Sequence, residues 1–274
     1  MSDQPVLEVS DLRKTYRIPG EQRAVTAVDD VSFRIPPGGT LGLVGESGSG
    51  KTTIARMLVG LTTPDSGTIA VRGTVRPLRE RGRAARMRRA AEIQMVFQDP
   101  YGSLDPRLSA TECVTRAMRR HGGGDRARVT ALLDSVGLGS REARARPHQL
   151  SGGQRQRLAI ARALAVNPAL LVLDEAVAAL DVSVQAQILE LLADVRRESG
   201  VAQLFVSHDL AVIQHVADEI VVLHRGAVVE RGRSDEVLAR PEHPYTRLLL
   251  ASVPRPGWDP TEVAALRDQL TATG

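Results

Sequence analysis

The apolar run Thr40-Leu41-Gly42-Leu43-Val44 leads without a break into Gly45-Glu46-Ser47-Gly48-Ser49-Gly50-Lys51-Thr52-Thr53. No other stretch limits the possible folds so tightly. The octet starting at Gly45 fits G-x-x-x-x-G-K-[ST] in full. That pattern works only where a buried strand delivers a glycine loop to the start of a helix. The glycines let the backbone curl so that its N–H groups face phosphate oxygens, and the following helix adds its positive end. A helix is therefore predicted from Gly50 to about Gly60. Lys51 is placed to reach β- and γ-phosphates, and Thr52 a magnesium ion. An ordinary Gly/Ser turn would need neither the lysine nor the flanking strand and helix.

Two later stretches extend this chemistry. Leu170-Leu171-Val172-Leu173 is an apolar strand that ends in Asp174-Glu175. Strands of α/β sheets place ligands at their carboxyl ends. There Asp174 suits a magnesium-bound water. Glu175 points elsewhere, because side chains alternate along a strand, and suits polarising an attacking water. Leu150-Ser151-Gly152-Gly153-Gln154 then opens a helix running to about Ala165. Ser151 is a good N-cap, and the glycines leave backbone N–H groups open to an anion. Taken alone, that pentapeptide is an ordinary cap.

Composition removes several alternatives. No apolar run approaches the roughly 18 residues of a membrane span, and the first five residues lack the basic-then-apolar pattern of a secretory signal. The single cysteine, Cys113, excludes an internal disulfide and a cysteine cluster for zinc or iron–sulfur. The chain therefore reads as cytoplasmic. Lys14 and Lys51 are its only lysines among 36 basic residues. This makes a lysine in the glycine loop notable, because a compact point charge is what that position requires. The net charge is +4, yet residues 72–91 hold eight arginines against one glutamate. We read them as a solvated surface segment, with an acidic partner surface or lipid headgroups as the alternatives, and not as a nucleic-acid face, which would spread basic charge more widely.

Along the chain, Leu7-Glu8-Val9 and Ala27–Ile35 alternate like strands around a Pro19-Gly20 turn. Pro64–Gly67 reads as a turn before a strand at Thr68–Val71, and Ile93–Phe97 reads as another strand. Residues from Pro100 to about Pro147 change to helices with glycine breaks. Strand and helix alternate again afterwards: helix Val182–Glu198, strand Ala202–Val206, helix Leu210–Ala217 and strand Ile220–Leu223. That order predicts a mostly parallel sheet with helices on both faces. From Pro254 the chain reads as loosely ordered before a short final helix.

On the two loops at this spacing, the chain resembles the ATP-binding subunits of ABC transporters over about residues 5–250. The resemblance implies a phosphate-loop (RecA-like) α/β core, an N-terminal antiparallel β subdomain and an inserted helical subdomain. The core would hold about residues 5–98 and 166–235, the helical part about 99–165, and residues 251–274 would form a tail. It also implies that Tyr16 stacks on adenine and that Gly45 to Thr53 bind the phosphates. Gln98 would link nucleotide to the helical subdomain, and Thr52, Gln98 and Asp174 would serve Mg2+. His208, in Ser207-His208-Asp209, would contact the γ-phosphate beside the catalytic Glu175 and Lys51. Two such subunits pair head to tail in this family. Ser151, Gly152, Gly153 and Gln154 of one then close on the ATP held by the other, near the dimer loop at Asp181.

Gln98-Asp99-Pro100-Tyr101-Gly102-Ser103-Leu104-Asp105-Pro106-Arg107 and His243-Pro244-Tyr245-Thr246 resemble the branch that imports dipeptides, oligopeptides and nickel. Expected partners are a second identical or paralogous ATPase subunit, membrane permeases and an external solute-binding protein. The chain would then sit peripherally on the cytoplasmic face of the cell membrane, with no direct contact to nucleic acid. Tyr101 and Leu104 are candidates for the floor of a permease groove, or equally for core residues. Members of this branch often carry a C-terminal cysteine cluster; this chain has none, so no iron–sulfur cluster is expected. Where the family commonly reads Pro-Thr-Ser-Ala-Leu-Asp, this chain has Ala176-Val177-Ala178-Ala179-Leu180-Asp181. The lost hydroxyls would remove hydrogen bonds across the dimer, and the Ala-Val opening resembles some nickel-importer subunits. The alternatives are a soluble ATPase of the same superfamily acting on nucleic acid or ribosomes, and a non-hydrolysing regulatory domain.

Overall fold

The computed structural model describes residues 4–17, 24–78 and 82–253, with residues 261, 263, 264, 266 and 267 beyond them. The Pro19-Gly20 turn, Arg79 to Arg81 and most of the expected tail lie outside the described residues. The chain divides into two compact units, one of residues up to 78 and from 205 onward, the other of residues 79–204.

In the first unit, strands β1 (Leu7–Arg17), β2 (Ala24–Ile35), β4 (Ser66–Val71) and β5 (Thr74–Val75) form an antiparallel sheet in the order β2-β1-β4-β5. Leu7, Val9 and Leu12 of β1 and Val28, Val31, Phe33 and Ile35 of β2 are buried. Their spacing is not strictly alternate, because the β1–β2 register shifts at three places. Strand β3 (Thr40–Val44) is buried along its whole length and pairs in parallel with β9 (Glu219–His224). Burial of consecutive residues is what a central parallel strand requires. β9 turns back into the antiparallel β10 (Ala227–Arg233). Helix α1 (Lys51–Leu58) follows β3. Helices α8 (Leu210–Val216), α9 (Ser234–Ala239) and α10 (Pro244–Ala251) complete the unit.

In the second unit, α2 (Arg83–Glu92) precedes β6 (Ile93–Val96), which pairs in parallel with β7 (Leu170–Asp174). Between these strands lie a short 3-10 turn at Tyr101–Ser103 and helices α3 (Ala110–Arg119), α4 (Arg126–Ser135), α5 (Ser140–Arg144) and α6 (Gly152–Leu164). Helix α7 (Val182–Ser199) follows β7 and ends on Gly200 in the left-handed conformation. Strand β8 (Ala202–Ser207) carries the chain from the second unit back to the first.

The α/β architecture, with its antiparallel sheet and parallel strands, agrees with the sequence reading, and most elements begin or end within a few residues of expectation. The arginine-rich segment is where the reading lacked an element. Residues 83–92 form a helix whose only buried residue is Ala85. An arginine-rich stretch carries good intrinsic helix propensity but no apolar periodicity, so pattern reading sees only polarity. Arg83, Arg86 and Arg88 are exposed, as a solvated face should be.

Candidate functional site

In the first unit, β3 delivers the loop at its carboxyl end. Gly45 takes φ +152°, and a Cβ there would lie 2.2 Å from the Leu223 carbonyl at the end of β9. A larger residue at 45 would displace that strand. Gly50, left-handed at φ +105°, caps α1 without a side-chain hydrogen bond. Lys51 is 5% exposed. Its ammonium donates to the Gly45 and Glu46 carbonyls at 2.6 and 2.8 Å and reaches Ser49 Oγ at 3.4 Å. A buried charge needs such partners, and here they hold it among the loop's own backbone. The β9–β10 hairpin braces the loop from behind: Gly226 N–H donates to the Ser49 carbonyl at 3.1 Å.

Tyr16 lies on β1 and is 42% exposed, leaving ring surface available for a base. The Lys14 ammonium sits 5.4 Å from its ring centroid, held by Asp65 Oδ1 at 2.8 Å. His208 is exposed in the turn after β8. Ser207 Oγ accepts the Asp209 N–H at 2.9 Å, and the Asp209 carboxylate caps α8, which fixes the turn on both sides of the histidine.

In the second unit, β6 and β7 run in parallel with Val96 opposite Leu173. Gln98 and the pair Asp174-Glu175 therefore follow the carboxyl ends of neighbouring strands. Asp174 is 8% exposed. Glu175 adopts φ +49°, a left-handed conformation that costs a non-glycine residue about 1–2 kcal/mol. Such strain persists only where the surroundings impose it, and it often marks a working residue.

Ser151 caps α6 in a reciprocal box. Gln154 N–H donates to Ser151 Oγ at 3.3 Å, and Ser151 N–H donates to Gln154 Oε1 at 2.9 Å. Ser151 and Gly152 are exposed while Leu150 is buried beneath them. Gly153 is fixed by packing, because a Cβ there would lie 2.5 Å from Val184 Cγ1 of α7. Asp181 is exposed and marks the start of α7, followed by Val182 at 84% exposure.

Burial narrows two expectations. Leu104 is 5% exposed and offers no floor to a partner, whereas Tyr101 is 42% exposed with the Arg155 guanidinium 4.8 Å from its ring centroid. Leu104 follows the 3-10 turn and points inward. Val177 is also buried, at 6% exposure, so a hydroxyl at 177 would enter the core. Ala178 is exposed, so position 178 is where a missing hydroxyl faces outward.

Sequence reading missed one contributor. Tyr245 of α10 is 1% exposed, and its hydroxyl accepts the Glu46 N–H of the glycine loop at 2.9 Å. The His243-Pro244-Tyr245-Thr246 motif marked a branch and a helix start. Nothing local in it signalled a partner 199 residues away.

The strand–loop–helix with its buried lysine, together with a capped second anion loop and a carboxylate pair at a strand end, defines an α/β nucleotide-binding ATPase of the phosphate-loop class. A family model described as ABC transporter matches residues 28–178, and one described as oligopeptide/dipeptide transporter, C-terminal region, matches residues 229–273. The chain belongs to the ABC transporter family, as one of its ATP-binding, ATP-hydrolysing subunits. It is 47% identical over 266 residues to a probable peptide ABC transporter ATP-binding protein of Sinorhizobium fredii, covering 93% of this chain and 74% of that one. It is 47% identical over 260 residues to an oligopeptide transport ATP-binding protein of Mycobacterium tuberculosis, covering 92% of this chain but 42% of that longer relative. Among solved structures, the ATP-binding cassette MJ0796, a dimer in a post-hydrolysis state bound to ADP and Pi, aligns with TM-score 0.73 and 29% identity. That alignment covers 83% of this chain and 98% of the other. No helix among the described residues is long and apolar enough to cross a membrane.

Proposed function

We propose that this chain hydrolyses ATP to power a peptide importer. The C-terminal match at residues 229–273 carries the cargo assignment, because that region is described by its oligopeptide and dipeptide transporters. The relatives named for peptide transport support the same class.

The residues fit a triphosphate. The start of α1, which carries no side-chain cap, and the buried Lys51 offer N–H groups and a positive charge to phosphate oxygens. Gly45 to Thr53 line that loop, and Tyr16 offers an aromatic face to adenine. Thr52 supplies a hydroxyl, and Gln98 and Asp174 supply carbonyl and carboxylate oxygens, all donor types that suit Mg2+. The ion would neutralise charge developing on the phosphates. Glu175 orients and polarises the attacking water, and His208 donates to the γ-phosphate. Ser151 to Gln154 present the α6 N-terminus to a nucleotide held by a second subunit, and Asp181 lies in the adjoining dimer loop.

The full unit is then two cassettes, identical or paralogous, under two permease subunits and fed by an external solute-binding protein. The chain sits peripherally on the cytoplasmic face of the membrane. Co-purification with its permeases, reconstitution in liposomes and measurement of ATPase activity tests this. Di- or oligopeptide with the binding protein should stimulate turnover severalfold, and Lys51→Ala should abolish it. Stimulation by nickel ions but not by peptide would reassign the cargo.

A further inference from the structure

A single residue, Glu46, joins the phosphate-binding lysine to the C-terminal helix. Its carbonyl accepts from Lys51 Nζ at 2.8 Å, and its N–H donates to the Tyr245 hydroxyl at 2.9 Å. The Gly45–Glu46 peptide is gripped on both sides, because its own carbonyl, that of Gly45, also accepts from Lys51 Nζ, at 2.6 Å. Tyr245 is itself held firmly. It is fully buried, and its ring packs against His224 at 3.9 Å between centroids. Its N–H donates to His243 Nδ1 at 3.1 Å, which caps α10. The Glu230 carboxylate accepts the N–H groups of Glu242 and His243 at 2.8 and 3.1 Å, anchoring the entry to the helix on β10. Burying a phenol is favourable only where its hydroxyl finds a partner. Here that partner belongs to the loop, not to the helix or the sheet.

We propose that Tyr245 is a positioning residue for ATP binding. Its hydroxyl fixes the Gly45–Glu46 peptide, and through the Gly45 carbonyl the Lys51 ammonium, so that the loop meets phosphate already formed. This rests on the reading of Gly45 to Thr53 as the ATP site. A loop ordered in advance loses less freedom when the nucleotide arrives, so affinity rises. Coupling of this kind is reciprocal: if α10 steadies the loop, bound nucleotide steadies α10. The C-terminal region thus carries a report of nucleotide occupancy to whatever that region contacts.

Tyr245→Phe tests this by keeping the ring and its packing while removing the oxygen. In the full chain, on a Glu175→Gln background to prevent turnover, titration calorimetry should show ATP binding about 3–10-fold weaker. In the reconstituted transporter, with Glu175 intact, the loss should fall on KM for ATP and leave kcat within about twofold. Hydrogen exchange supplies a second measurement, whose first arm leaves Tyr245 unchanged. ATP added to the Glu175→Gln chain should slow exchange over residues 244–251, and Tyr245→Phe should remove that slowing while leaving it at α1. If the Glu175→Gln chain fails to bind ATP, the phosphate-loop reading itself falls. If it binds ATP and Tyr245→Phe binds equally well, the positioning role is wrong. Should Tyr245→Phe not fold, the absence of ATP-dependent slowing over 244–251 would overturn the proposal equally well.

Discussion

At the scale of single residues, Tyr16 and His224 carry distinct predictions. Tyr16, proposed to stack on adenine, sits on β1 beside a lysine tied down by Asp65. Base–aromatic stacking contributes about 1–3 kcal/mol. Tyr16→Ala should therefore weaken ATP binding about tenfold or more in a fluorescent-nucleotide titration, and Tyr16→Trp should restore most of it. His224 lies under Tyr245, and burial first, then Arg225 and His243, hold its pKa below the ordinary value, with Glu46 opposing them. The unfolded chain thus takes up a proton more readily than the folded one. The contribution of neutral His224 is complete above about pH 6.5 and is lost as pH falls through its lowered pKa. Thermal midpoints measured from pH 8 to 5 should fall on acidification, and less steeply in His224→Phe. Neither contact is legible locally: Lys14 and Tyr16 are near in sequence, but Asp65 and Tyr245 reach their partners only through folding.

At the scale of elements, α6 shows how much a motif encodes. Ser151 and Gln154 stand three apart, the spacing of a reciprocal cap, and the structure forms both bonds. Gly153 is different. Its need is set by Val184 on α7, an element that no local pattern places beside it. Gly153→Ala should destabilise the chain by about 1–3 kcal/mol in denaturant unfolding, as overpacking does. Adding Val184→Ala should recover most of that loss, a coupling that a double-mutant cycle measures directly. Helix α2 makes the opposite point. Its arginines gave no periodicity, yet a stretch without glycine or proline between Arg83 and Glu92 is free to coil into a helix once its ends are fixed.

At the scale of the whole molecule, the proposed role of Ser151 to Gln154 requires another subunit to supply a nucleotide. Glu175→Gln should bind ATP without splitting it, so the 29.5 kDa chain should elute at about twice that mass when ATP and Mg2+ are present. Elution as a monomer alone, with a dimer appearing only on addition of a different cassette subunit, would mean a heterodimer. The sequence by itself determined the family and the ATPase class. The glycine loop, the carboxylate pair and the capped pentapeptide are short, and their residue types and spacing lie within a few neighbouring positions. Tertiary structure decided which side chains support that chemistry: Tyr245 and Glu46, Leu223 against Gly45, Val184 against Gly153, and the inward turn of Leu104 and Val177. Those choices depend on what packs against each residue from far along the chain, and periodicity and spacing report only on near neighbours.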